Sequence, residues 1–124
     1  MQNTPFNMEP AALASAAGNI LNCTIASLSG PIGITLSQPY LLVRHMRITN
    51  NDTANPHVVT IYKGANGGSA VGTEFGWAGY SLPAGSFSDW VGYAKIQSTD
   101  YITGKADTAN KVTITIEGEV GFSL

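Results

Sequence analysis

Charge is scarce in this chain of 124 residues: six Lys and Arg and eight Asp and Glu make up 11%, against ~25% in an average soluble domain. The net charge of −2 offers no basic footprint, which argues against nucleic-acid binding. Cysteine occurs once, at Cys23, so no internal disulfide can form. No apolar run approaches the ~20 residues of a membrane span, and no membrane segment is expected. The opening residues lack a cationic stretch, and the run Ala11 to Ala17 is too small-sided for a signal h-region, so synthesis in a cytoplasm is expected. In that setting the sequons Asn22-Cys23-Thr24 and Asn51-Asp52-Thr53 read as chance matches.

Motifs that carry chemistry are also missing. Ser residues, His45, His57 and several Asp are present, but there is no Gly-x-Ser-x-Gly elbow to place a nucleophile. His45 and His57 flank a loop without the third His or Cys pair that a zinc site needs. Asp52, Asp100 and Asp107 lack the spaced carboxylates of a calcium loop and read as turn caps. Gly64-Ala65-Asn66-Gly67-Gly68 is not followed by Lys-Ser or Lys-Thr, so it is no phosphate loop. The expectation is a protein without catalytic, metal or cofactor-binding residues, and so not an enzyme.

What the chain does have is alternation. From Lys111 to Phe122, Val112, Ile114, Ile116, Val120 and Phe122 share one parity, and Lys111, Thr113, Thr115, Glu117 and Glu119 share the other. Successive strand side chains point to opposite faces, so this segment has one dry face and one wet face, as in an antiparallel sheet. Fourteen Gly and six Pro punctuate further strand segments at 20–28, 32–36, 40–50, 57–63, 71–77, 86–97 and 100–103. The fold expected is all-β: an antiparallel sandwich, jelly-roll-like, of seven to nine strands over residues 19–124. Residues 1–18 form a separate N-terminal segment, with Ala11 to Gly18 able to make two helical turns. It is either a strapped-down or disordered terminus or an arm docking on a neighbour through Phe6 and Met8. The string Asp-Thr-Ala-Asn occurs twice, at 52–55 and 107–110, each time ahead of a strand, as one polar turn used twice.

Candidate contact residues come from two places. Arg44, His45 and Arg47 lie together within a strand and suit a subunit interface, where Arg is enriched. Among the aromatics at 75–93, Trp90 is expected in the core, whereas Phe75 and Trp77, set among glycines, are the candidates for exposure, to a partner or to a sugar.

The segments Leu42-Val43-Arg44-His45-Met46-Arg47-Ile48-Thr49-Asn50, Val59 to Ala70, Gly72-Thr73-Glu74, Leu82-Pro83-Ala84-Gly85-Ser86 and Asp100 to Ala106, with the closing strand, resemble small β-sandwich head decoration (cement) proteins of tailed bacteriophages. The resemblance covers residues 40 to 124 and rests on structural motifs. It implies a capsid accessory protein that binds the major capsid protein on the outside of the virion shell, commonly as a homotrimer. It carries over no catalytic or metal residue. Other virion parts (neck, tail or fibre) and a carbohydrate-binding module are the alternatives.

Overall fold

The computed structural model describes residues 4–23 and 39–122. These residues form nine strands and no helix: β1 (Thr4–Asn7), β2 (Ala11–Ala12), β3 (Gly18–Asn22), β4 (Pro39–Asn50), β5 (His57–Gly64), β6 (Tyr80–Leu82), β7 (Phe87–Gln97), β8 (Tyr101–Ala106) and β9 (Val112–Phe122). They make two antiparallel sheets. One has the order β1-β9-β4-β7, with β2 also on β9; the other runs β3-β8-β5-β6. The expected sandwich is therefore present.

The alternation in β9 explains its central place. Val112, Ile114 and Ile116 are fully buried, with Val120 nearly so, while Glu117 is exposed. Each such side chain contributes ~1.5–3 kcal/mol relative to exposure. Beside them in the same sheet lie Leu41, Val43, Met46 and Ile48 of β4, and the other sheet adds Val59, Ile61, Ile102 and Ala106 to the same core. The inward positions of β4 change parity between Val43 and Met46 because Arg44 is an extra residue opposite β9. The register between β4 and β7 shifts at the same place. Gly118 sits across from the bulge, where a Cβ would run into the Leu42 carbonyl oxygen. A bulge of this kind re-aims side chains, and here it swings Arg44, His45 and Arg47 onto the outer face.

Residues 4–17 lie against the sandwich as a strapped-down segment, one of the two readings of the N-terminal stretch, and Phe6 and Met8 face the sandwich's own core. Thr4–Asn7 pairs with Val120–Glu117, and Ala11 and Ala12 pair with Ile114 and Thr113. Leu13, only 2% exposed, turns into the core as the chain crosses from one sheet to the other. Its amide donates to the Val112 carbonyl, and the neighbouring Ala14 carbonyl accepts from the Ala106 amide. The segment spends its backbone groups on β9 and β8, with Leu13 as its core anchor, so the helical turns expected over Ala11 to Gly18 do not form. Phe6 and Met8 pack, partly buried, against the core.

Other boundaries move for local reasons. The strand expected over 71–77 is an irregular edge along β5, joined by the Tyr62–Glu74 bridge and by amide bonds at Lys63, Phe75 and Ile61. Gly72 and Gly76 take positive φ there and interrupt a regular ladder. The strand expected over 20–28 runs from Gly18 to Asn22 and has ended by Cys23; residues 24–28, with the strand expected over 32–36, lie outside the described residues.

Candidate functional site

Two constellations collect most of the charged and titratable side chains. The first covers the outer face of the β9-β4-β7 sheet. Arg47 on β4 grips Asp89 on β7 with two bonds, Nε–Oδ1 at 2.7 Å and Nη2–Oδ2 at 3.0 Å. His45 Nε2 lies 2.9 Å from Asp89 Oδ1, and its Nδ1 is 3.8 Å from Glu117 Oε1 on β9. Arg44, the bulged residue, reaches Glu119 at 3.4 Å. The Arg47 guanidinium, first by its hydrogen bond, then the His45 bond, hold the Asp89 carboxyl down at about 2. The cations also sit over rings: Arg47 is 4.1 Å from the Phe87 centroid, Arg44 5.2 Å from Tyr93, and Lys95 4.5 Å from Tyr40. Phe87, Val91 and Tyr93 nevertheless remain 57%, 78% and 68% exposed. Odd-numbered residues of β7 face solvent in this row, which makes an amphipathic surface of aromatic and charged groups on an edge strand.

The second constellation is buried at the rim of the core. His57 opens β5 on its inward face and is 6% exposed. Its Nδ1 lies 2.7 Å from Asp107 Oδ1 and its Nε2 lies 2.9 Å from Asp52 Oδ2. Both carboxylates come from the repeated Asp-Thr-Ala-Asn string, so the two copies close on one imidazole. The first copy is also an Asx turn, with Asp52 Oδ1 accepting from the Ala54 and Asn55 amides. In the second, Asn110 takes positive φ, and the Asp107 amide donates to the Val58 carbonyl. Asn50, 1% exposed, anchors the first loop by donating to the carbonyls of Asn55, Leu82 and Pro83 and accepting from the Asp52 amide.

Each ring nitrogen of His57 faces a carboxylate oxygen, so only the cation, donating twice, satisfies both. The Asp52 bond first, then the Asp107 bond, raise the His57 pKa above its ordinary value. The Ala54 amide, then His57, hold Asp52 well below the usual carboxylate range. An imidazole engaged at both nitrogens has no lone pair for proton abstraction or metal ligation. No group of three or more His, Cys, Asp or Glu arranged to hold a metal occurs among the described residues. Beside Asp107 a shallow hollow of about 230 Å³ opens between β5 and β8, lined by Ser15, Val58, Thr60, Lys105, Ala106 and Asp107. Cys23 is buried; desolvation, then the charge of Asp100, push its thiol up to about 12, which leaves it unreactive.

The sequence-derived contact residues thus separate. Arg44, His45 and Arg47 come together on the outer face. Trp77, expected at the surface, is 6% exposed, and its indole N–H donates to Ser88 Oγ at 3.1 Å. Its ring is core, which corrects that expectation. Phe75 is half-buried, edge-on to Trp90 at 5.0 Å. The residues that sequence reasoning passed over are Phe87, Asp89, Val91 and Tyr93. Their common parity against Ser88, Trp90, Gly92, Ala94 and Ile96 was the signal that separates the two faces. Among the described residues no helix is long and apolar enough to cross a membrane.

No protein-family model matches the chain, and no curated protein matches it. Among solved structures it is similar to a chain in "Structure of infectious bursal disease virus Gx strain", with 14% identity and a TM-score of 0.34. The match covers 98% of this chain but spans only 30% of that one. A likeness at that level carries no statement about role.

Proposed function

We propose that this protein is a virion structural protein, a head decoration protein of a tailed phage that binds the major capsid protein on the outside of the shell and assembles as a homotrimer. The observation that carries the reading is the outer face of β4 and β7, where exposed Phe87, Val91 and Tyr93 are interleaved with Arg44, Arg47 and Lys95. Aromatic and Arg side chains in one patch have the composition of a protein interface. The resemblance of residues 40 to 124 to phage cement proteins supplies the partner, a capsid lattice. Three linked copies contacting neighbouring capsid subunits bind tightly even where each contact is weak.

The test is co-sedimentation of purified protein with undecorated capsids from the phage that encodes it. Saturable binding on the shell, lost in Arg47→Ala/Tyr93→Ala, supports the reading. Binding to tail or fibre particles instead overturns the head assignment. A sugar-binding module is disfavoured because Trp77 is buried and the Phe87 and Tyr93 rings each carry a guanidinium.

A further inference from the structure

Strand β7 ends its sheet: it pairs with β4 on one side, and no described strand pairs with the other. An eleven-residue edge of this kind presents unpaired N–H and C=O groups to any strand that can match it. We infer that β7 pairs antiparallel with β7 of a second copy of this chain, about a twofold axis at Gly92, to make one continuous sheet across two sandwiches.

The register follows from charge. With Gly92 on the axis, Asp89 faces Lys95 of the second copy twice over, Val91 faces Tyr93 twice, and Phe87 faces Gln97. Opposite charges and aromatic with β-branched residues are the cross-strand pairs that stabilise an antiparallel ladder. Moving the axis to Val91 puts Asp89 against Tyr93 and Phe87 against Lys95; moving it to Tyr93 puts Val91 against Lys95. Only the Gly92 register matches both the charges and the apolar side chains. It also keeps odd residues opposite odd residues, so the exposed row of each copy continues on the same face as its partner's. Lys95 now lies over the Tyr40 ring and reaches the second copy by rotation of its own flexible chain. Asp89 stays ionised in its contacts with Arg47 and His45, and Lys95 of the second copy would join that network from across the seam. The contact is isologous, one patch against itself, and so is a separate interface from a threefold one.

Two cysteines read the register directly. In Val91→Cys/Tyr93→Cys, mild oxidation of the full-length protein should give a covalent dimer. Val91→Cys alone should not, since residue 91 faces 93 and not itself. Native Cys23 is buried and does not compete. Light scattering of the wild type should give an even multiple of the 13.0 kDa chain mass, two chains by this contact alone or six where the threefold contact of the proposed homotrimer forms as well. Lys95→Glu should weaken the association by ~10-fold, and adding Asp89→Lys should restore it. Circular dichroism confirms that each variant is folded. A monomer or free trimer at tens of micromolar overturns the inference, as does cross-linking through Val91→Cys alone. Slow hydrogen exchange of both edges of β7 in a monomer also overturns it, because another part of the same chain then occupies the edge. Capsid binding is scored separately, so a failed pairing leaves the proposed function standing.

Discussion

His45 and His57 each sit beside aspartate, yet the two places behave as opposites. His57 lies at the rim of the core with side-chain exposure of 7%, between one carboxylate from each of two loops. His45 lies on an open sheet face, its side chain 27% exposed, and shares Asp89 with Arg47. In the first place ionic contacts join loops that are far apart in sequence through an imidazole shielded from water, although the Asp107 carboxylate is itself 44% exposed. In the second, each contact competes with solvent, and such pairs add little to stability. Similar residues therefore hold the fold together in one region and leave a surface free for recognition in the other.

Removing His57 is the sharpest way to break this contrast. His57→Ala removes the cation that joins Asp52 to Asp107 and leaves a gap at the core rim beside the shielded Asp52 carboxylate, and we expect its melting temperature to fall further than that of any variant on the outer face, measured by thermal circular dichroism. If His45→Ala falls as far, the distinction between the regions is wrong. Next comes Asn50, which holds the first loop from beneath. Asn50→Ala removes the side-chain donor to the buried Leu82 carbonyl and the acceptor for the Asp52 amide, and should cost about 1–3 kcal/mol by urea denaturation.

The same contrast has a pH signature. His57 has a raised pKa when folded, so its contribution is complete below the unfolded value of ~6.5 and is lost as pH rises through the higher folded value. Asp52 has a lowered pKa, so its contribution is complete above ~3.9 and is lost as pH falls toward the folded value. Stability should therefore be greatest between those limits and decline on the alkaline side. In His57→Gln that alkaline decline should flatten; a decline of unchanged slope would assign it to another group. The smallest effect belongs to the surface. Arg47→Ala frees the Phe87 ring and one side of Asp89 but should leave the urea midpoint almost unmoved, while lowering capsid binding in the co-sedimentation assay.

Where periodicity governs, the fold was legible in the chain. Val112 to Val120 announced a half-wet strand, and β5 and β7 began within a residue of the segments expected from turn residues. Two kinds of feature were hidden. Short edge strands such as Thr4–Asn7 have no pattern of their own, because they form by matching a partner already in place. The bulge at Arg44 changes parity in mid-strand, so the 40–50 segment reads as mixed until its partners are known. The His57 clasp left a trace as the repeated Asp-Thr-Ala-Asn, but a repeat shows likeness and not convergence. Trp77 misled because glycine neighbours imply an open loop, whereas here Gly76 brings the backbone against Met46 and Trp90, and the indole turns inward.

The pairing of Thr4–Asn7 with Val120–Glu117 sets an order of events in folding. β1 and β9 stand first and last in chain order among the nine strands, and among the described residues β9 is the strand that β1 pairs with. Until β9 joins, Phe6 and Met8 have no sheet to lie on, and β4 lacks its central neighbour. The β1-β9-β4-β7 sheet therefore cannot be completed before β9 joins it, whereas the β3-β8-β5-β6 sheet takes no strand from it. The pairings of β1, β2 and β4 with β9 span most of the sandwich in sequence, and contacts so far apart along the chain make closure of this sheet slow.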